Sequence, residues 1–221
     1  MNGVRLVERL IMSHNTNENI IKNLTLAKYA GADLNGNYIK IHTASYLIND
    51  VEADGYYISI LQYVISHLKN ENISTFLIEH MDVNRKDTLG ETPLFYAVSE
   101  GNLKLTKTLL EKGANVNSRD ILNGSPLSAA ISSAQLDVVK FLIDNVALIN
   151  AANNSLETPL NITIKYVVYP NLNHNDDILR ELLARDADLE IADHTGVKSI
   201  DIAEKAENQD LIDLLKKYTK N

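Results

Sequence analysis

The amino-acid sequence predicts an all-α solenoid of about five to six helix-turn-helix repeats. The first observation is a Pro-Leu pair that returns every 33 residues, at Pro93, Pro126 and Pro159. The second is that the intervening residues also match, since the run from Gly113 to Asn117 aligns with the run from Val146 to Asn150. Self-similarity at this period is typical of repeats that bury a continuous core only when they stack on their neighbours.

Local signals within residues 87–119 predict two short helices. Thr92 can cap the first helix, and Pro93 fits its first position, where a missing N–H costs nothing. Gly101 ends this helix, Asn102 can cap the second, and Gly113 suits a left-handed C-cap. Asn115 to Arg119 then turn outward as an extended finger. The apolar positions of the two helices fall on shared faces, at Leu94, Ala97, Val98, Leu105, Leu109 and Leu110.

These residues resemble the ankyrin repeat family. The unit from Asp87 to Asn117 carries most of the family's signature positions in order, including Thr92-Pro93-Leu94 and Gly113-Ala114. The resemblance is clear over 58–166 and extends to 218. The family usually has a histidine at the position of Phe95, and the other units hold Ser128 and Asn161 there. We expect this loss to weaken the hydrogen bonds between adjacent turns.

The resemblance implies one ankyrin-repeat domain over 1–221, with β-hairpin-like fingers. The predicted divisions are an N-terminal cap at 1–20, a divergent repeat at 21–53, repeats at 54–86, 87–119, 120–152 and 153–192, and a capping repeat at 193–221. The repeat at 153–192 has seven extra residues, which we place in a loop near 167–175. Polar residues on the last helix, around Asp210 to Tyr218, give the outer face that a terminal cap requires.

Two registers compete before residue 58. In the first, the run from Gly31 to Asn35 is a finger, and about half a repeat is inserted near 41–57. In the second, Gly36-Asn37 matches Gly101-Asn102, so that 38–48 is a second helix and Asp50 to Tyr56 is the finger. We prefer the second register because it needs no long unstructured insertion within a compact array.

Composition excludes several functional classes. The 221 residues carry 21 Lys and Arg against 29 Asp and Glu, a net charge of −8, which disfavours binding to nucleic acid or anionic membranes. The absence of cysteine excludes disulfides and thiolate zinc sites. The sequence has neither a signal-peptide pattern nor an apolar run long enough to span a bilayer. We therefore expect a cytoplasmic protein, with secretion into a host cell by a dedicated system as an open route.

The sequence gives no reason to expect enzyme chemistry. No two of the six histidines have the spacing of helical zinc ligands, and no glycine pattern matches a nucleotide-binding loop. Asp50, Glu52 and Asp54 resemble a calcium-loop triplet, but Leu61 occupies the position that requires glutamate. We predict no catalytic residue, cofactor or metal. A deep pocket with converging polar groups would indicate an enzyme instead.

The family resemblance implies a monomeric, non-enzymatic scaffold that binds a protein partner through its concave face of finger tips and first helices. Apolar Leu89, Ile121 and Leu122 at predicted finger tips favour an interface there, and the net charge favours a partner with a basic or apolar patch. The alternative is an effector or host-range factor of an intracellular bacterium or large DNA virus that acts on a host protein. The predicted contact residues are Tyr56, Ile58, His67, Thr88, Leu89, Glu91, Glu100, Arg119, Ile121, Leu122, Asn154, Glu157 and Tyr166.

The resemblance also implies a possible modification. The finger asparagine is a hydroxylation target in ankyrin families, and Asn84, Asn117 and Asn150 occupy that position. The alternative is a purely structural asparagine that holds the finger turn.

Overall fold

The computed structural model describes residues 16–29, 34–35, 38–41, 56–169 and 176–219. The described residues form eleven α-helices, so the prediction of an all-α repeat protein is confirmed. Strands β1 (Tyr38–Ile41) and β2 (Tyr56–Ser59) form an antiparallel pair, and a π-helical turn covers Val64–Leu68. The helices are α1 (Asn17–Tyr29), α2 (Ile60–Tyr63), α3 (Glu71–Ile78), α4 (Pro93–Ser99), α5 (Leu103–Glu111), α6 (Pro126–Ser132), α7 (Leu136–Asp144), α8 (Pro159–Val168), α9 (Asp176–Ala184), α10 (Ser199–Lys205) and α11 (Gln209–Tyr218).

Capping boxes begin the first helix of several repeats. The Ser59, Ser125 and Thr158 side chains each accept a hydrogen bond from the backbone N–H three residues later. The side chain at that third position bonds back to the backbone N–H of the cap in each case. These reciprocal bonds satisfy donors that a helix start otherwise leaves open. A Ser or Thr cap and the side chain three residues later therefore fix together where these helices start.

An Asx turn precedes each of the helices α4, α6, α8 and α10 and shapes the finger tip. Asp120 Oδ1 accepts hydrogen bonds from the backbone N–H groups of Leu122, at 2.8 Å, and Gly124, at 2.7 Å. The equivalent oxygens of Asp87, Asn153 and Asp193 accept from the N–H groups two and four residues later in the same way. A short carboxylate or amide side chain at this position closes the turn on itself.

Asparagine side chains join successive repeats. Asn84 Oδ1 accepts from the Asn115 N–H at 2.7 Å, and Asn117 Oδ1 accepts from the Leu148 N–H at 2.8 Å. Asn35 bonds the Asp82 N–H and Asn150 bonds the Asp188 N–H in the same manner, at 2.8 and 2.9 Å. The same contact thus recurs between neighbouring repeats from residue 35 to residue 188.

The asparagine contacts correct the register preferred upstream of residue 58. A helix over 38–48 is wrong at Tyr38–Ile41, which is a strand paired with Tyr56–Ser59. Asn35 makes the bond of a finger asparagine, which supports the other register. Asn35 lies 24 residues before the Ser59 cap, whereas Asn84 lies 8 before Thr92, so about half a repeat is inserted. Residues 42–55 lie outside the described part, and the repeat boundaries stay a prediction.

The chain divides into two compact units. The first consists of Met1–Ala97 and Lys104–Asn115, and the second of Val98–Leu103 and Val116–Asn221. In the second unit, Leu211 and Leu215 of α11 are buried while its charged residues are exposed, as predicted for a terminal cap. Helix α8 extends to Val168, and residues 170–175 of the predicted loop lie outside the described part. Fully buried side chains include Leu24, Leu61, Leu77 and Leu109 in the first unit, and Leu127, Leu142, Leu160 and Ile164 in the second.

Candidate functional site

Two finger-tip residues of the second unit are exposed. Ile121 is 51% exposed and Leu122 is 65% exposed, directly after the Asx turn of Asp120. The turn is closed by the Asp120 carboxylate and backbone N–H groups, so these two side chains take no part in its hydrogen bonds. Their position agrees with the sequence prediction of apolar finger tips. In the first unit Leu89 is only half-buried rather than fully exposed.

The neighbouring finger adds a third apolar side chain. The Asn154 N–H donates to the Leu122 carbonyl oxygen at 2.9 Å, and its side-chain Nδ2 donates to the Ile121 carbonyl oxygen at 3.3 Å. Asn123 Nδ2 also donates to the Ala152 carbonyl oxygen at 3.0 Å. These bonds fix the two fingers side by side, with Leu156 of the second finger 52% exposed. We call Ile121, Leu122 and Leu156 the finger-tip cluster.

Leu156 was missed because its neighbours in sequence are polar. A signal was present, since Leu156 occupies the position of Gly90 in the repeat at 87–119. That position has a left-handed backbone, with φ 76° at Gly90 and 56° at Leu156. A large apolar side chain gains nothing for the fold at an exposed left-handed position.

Two predicted contacts, Tyr56 and Ile58, lie in strand β2 of the first unit and not on a finger tip. Ile58 is fully buried, so its prediction as a surface contact is wrong. Side chains alternate across a strand, which turns Ile58 inward and leaves its neighbour Tyr57 44% exposed. Tyr56 lies at the start of β2 rather than at a finger tip, and its side chain is outside the described part. Thr88 is exposed and its N–H donates to the Tyr57 carbonyl oxygen at 3.2 Å.

The remaining predicted contacts differ in how exposed their side chains are. His67 is exposed, and its ring stacks on Tyr63 with centroids 4.8 Å apart. Glu100 and Asn154 are exposed, whereas Glu91 and Tyr166 are half-buried. Arg119 is half-buried and its Nη1 donates to the Asn123 carbonyl oxygen at 3.0 Å.

A small charge cluster lies beneath the fingers of the second unit. Lys165 pairs with Glu157, and its Nζ lies 3.8 Å from Asp193 Oδ2. Burial raises the pKa of Glu157, but hydrogen bonds from Lys165 and Asn153 outweigh it and leave that pKa below its usual range. The Thr195 hydroxyl, with backbone N–H groups, lowers the pKa of Asp193 to about 2. The Glu157 carboxylate is thus already held in an ion pair with Lys165, so it is poorly suited to bind a partner.

The finger asparagines use their amides to hold the fold. Asn84 Nδ2 donates to the Gly113 carbonyl oxygen at 2.9 Å, and Asn117 Nδ2 donates to the Val146 carbonyl oxygen at 3.1 Å. Each of these amides therefore bonds through both its oxygen and its nitrogen. The contacts supply the structural role, and hydroxylation of Asn84, Asn117 or Asn150 stays a prediction.

No group of three or more His, Asp or Glu side chains in the described ranges lies close enough to hold a metal ion. Among the helices described above, none has the length and apolar character needed to cross a membrane.

Comparison with known proteins agrees with the repeat geometry. The family model of ankyrin repeats (3 copies) matches residues 2–120, which is just over half of the 221 residues. No curated protein matches the sequence. The Asx turns and asparagine contacts continue past residue 120, through Asn153, Asn150 and Asp193. Ankyrin repeats are generally protein–protein interaction modules and are typically non-enzymatic. The chain belongs to the ankyrin repeat family.

Proposed function

We propose that this protein is a non-enzymatic module that binds a protein partner through the finger-tip cluster of its second unit. The observation that carries the proposal is the exposure of Ile121, Leu122 and Leu156 on two fingers joined by hydrogen bonds. Contiguous exposed apolar side chains on a folded protein mark interaction surfaces. The hydrogen-bonded fingers present them without the entropy cost of ordering a loop at binding.

The partner surface is expected to be apolar with a basic rim. Each cluster side chain is about half exposed, so its complete burial contributes on the order of 1 kcal/mol, or roughly 3 kcal/mol for the three. That energy corresponds to about a hundredfold in affinity. The net charge of −8 favours a partner of opposite charge, whose association rate falls as salt is added.

The test is capture of partners by two matched variants. The finger variant carries Ile121→Ser, Leu122→Ser and Leu156→Gly, which remove exposed side chains and leave the core intact. The control variant carries Tyr169→Ser, which removes an exposed aromatic side chain elsewhere in the same unit. Circular dichroism and urea denaturation must first show that both variants fold.

A protein that is retained by the wild type and the control variant but lost by the finger variant supports the proposal. Equal retention by all three proteins contradicts it. The alternative of an effector that acts on a host protein is also a proposal, and it requires that the captured partner come from a host-cell lysate.

A further inference from the structure

We propose that the loop after α7, together with an adjacent groove, docks a partner segment that combines a basic side chain with an apolar one. This surface shares no residue with the finger-tip cluster, so the inference goes beyond the function proposed above. We call the loop residues Val146, Ala147 and Leu148 the knuckle.

The knuckle presents apolar side chains that do not stabilise the fold. Val146 is 77% exposed and Leu148 is 56% exposed, whereas Ala147 between them is buried. Val146 has φ 60°, in the left-handed region, at the position held by Gly113 with φ 86° and by Asp186 with φ 58°. A β-branched residue is an outlier in this region. The fold gains no compensating burial from its side chain.

A groove begins two residues beyond the knuckle. Asn150 accepts the Asp188 N–H through its Oδ1 at 2.9 Å, which joins the knuckle repeat to the next one. The groove has a volume of about 280 Å³. Leu183 and Leu189 lie at its base, where both are buried. Its rim includes Asp186, Asp188 and Tyr218, which is 42% exposed.

The groove is negatively charged and bounded by an aromatic ring. Asp186 and Asp188 are exposed and form no ion pair within the described ranges. The nearby Arg185 is already paired with Asp144 at 2.7 Å and with Glu181 at 3.0 Å, and Glu190 is paired with Lys198 at 2.7 Å. Carboxylates beside a tyrosine ring attract lysine or arginine through charge and cation–π contact.

The size of the groove selects the kind of ligand. A volume of about 280 Å³ falls just below the ~300–1,000 Å³ of small-molecule pockets, so it suits one long side chain of a larger partner. The occupant is therefore a protein segment that places Arg or Lys between Tyr218 and the two aspartates. A neighbouring apolar residue of that segment covers Val146 and Leu148.

Three short synthetic peptides separate the two parts of this chemistry. The probe is Gly-Ser-Leu-Arg-Leu-Arg-Gly-Ser. One control peptide replaces arginine by glutamate, and the other replaces leucine by serine. Each is titrated into the ¹⁵N-labelled full chain up to millimolar concentration, and amide shifts are followed by NMR. Analytical ultracentrifugation of the protein alone reports self-association.

Three variants locate the binding. Val146→Gly with Leu148→Ser removes the apolar half, and Asp186→Asn with Asp188→Asn removes the charge. Asparagine tolerates the left-handed backbone of Asp186 and can still accept the Glu190 N–H at position 188. The matched control is the Tyr169→Ser variant described above, because Tyr169 belongs to neither proposed surface.

The expected result is that shifts caused by the Leu-Arg probe concentrate at the knuckle, Asp186 to Glu190 and Tyr218. The knuckle variant and the charge variant should each weaken binding of the probe by about tenfold, which corresponds to ~1.4 kcal/mol, while the Tyr169→Ser control leaves this binding unchanged. Absence of binding, equal binding of the glutamate peptide, or shifts centred elsewhere would overturn the proposal. Self-association that the knuckle variant abolishes would also overturn it, because the occupant would then be a second copy.

Discussion

Several positions with a left-handed backbone are occupied in this chain by residues other than glycine. Val146, Leu156 and Ala134 take the conformation that Gly113, Gly90 and Gly101 adopt in the repeat at 87–119. For an L-residue this conformation costs about 1–2 kcal/mol, and glycine avoids that cost. The repeat at 87–119 has glycine at all three of these positions. The equivalent positions named above in the later repeats have residues with side chains instead.

Val146→Gly is expected to raise the free energy of unfolding by about 1 kcal/mol, since the side chain is exposed and its backbone is strained. The matched control is Gly113→Val, which should lower stability by a similar amount. An added Cβ at Gly113 meets no atom within 4 Å, so the control reports backbone strain without a clash. Urea denaturation of both variants measures the effect. A loss of stability in Val146→Gly would show that the side chain packs usefully.

The Asx turn of Asp193 predicts a pH-dependent contribution to stability. Its pKa is lowered from 3.8 to about 2, chiefly by the Thr195 hydroxyl, whose Oγ1 lies 2.6 Å from Asp193 Oδ1. A carboxylate with a lowered pKa stabilises the folded state above its unfolded pKa. That contribution is lost as the pH falls through its folded pKa. The stabilising contribution is therefore complete above about pH 4 and disappears towards pH 2.

Asp193→Asn removes this titration and keeps the turn. Asn153 closes the preceding finger with the same hydrogen bonds, which shows that an amide oxygen can replace the carboxylate. We expect the wild type to lose stability relative to Asp193→Asn as the pH falls from about 4 to about 2. Urea midpoints across this range, compared at each pH, give the difference. A difference that stays constant with pH would mean that the carboxylate pKa is not lowered by folding.

At the scale of the element, the missing family histidine is partly replaced. Gln62 Nε2 donates to the Glu91 carbonyl oxygen at 2.7 Å, and Asn161 Nδ2 donates to Ser199 Oγ at 3.2 Å. Both side chains are fully buried and reach the next turn of their own unit. Ser128 instead bonds back to Ser125 within its capping box. The expected weakening of the bonds between turns therefore does not extend to Gln62 or Asn161.

Asn161→Ala is expected to lower the free energy of unfolding by about 2 kcal/mol, because it breaks the capping box of Thr158 and leaves Ser199 without this donor. Ser128→Ala is the comparison, since it breaks the capping box of Ser125 without removing a bond to the next repeat, and should cost about 1 kcal/mol. Urea denaturation measures both. Equal losses would argue that the Asn161–Ser199 bond adds nothing.

The hairpin of β1 and β2 shows where sequence reasoning about elements failed. The preference for a helix rested on the assumption that an inserted segment has no structure of its own. The residues themselves favour strands, because both segments are rich in aromatic and β-branched residues, which are enriched in strands. These residues are Tyr38, Ile39 and Ile41 in β1 and Tyr56, Tyr57 and Ile58 in β2. In contrast, the helices around Pro93, Pro126 and Pro159 were predictable because caps, proline and apolar spacing agreed.

The candidate site was predictable where side chains take no part in the hydrogen bonds of a turn. Ile121 and Leu122 follow an aspartate that closes the turn, so their exposure could be inferred from sequence. Ile58 could not be placed correctly, because a shift of one position along a strand exchanges the buried and exposed faces. Leu156 was not predicted because its neighbours in sequence are polar. The hydrogen bonds between the two fingers show that it lies on the finger next to Ile121 and Leu122.

At the scale of the whole molecule, one repeat pattern extends beyond the family-model match. The match ends at residue 120, yet asparagine and aspartate side chains close the same turns at Asn153 and Asp193. In the second unit these turns leave three apolar side chains exposed on fingers whose polar groups bond to one another. A folded scaffold that supports an exposed apolar cluster is the physical basis for the proposed binding function.

The most direct test of this function is calorimetric titration of the captured partner against the wild type, the finger variant and the Tyr169→Ser control. The account predicts that the finger variant binds about a hundredfold more weakly while the control binds as tightly as the wild type. Equal affinity of the finger variant and the wild type would show that Ile121, Leu122 and Leu156 do not form the binding surface.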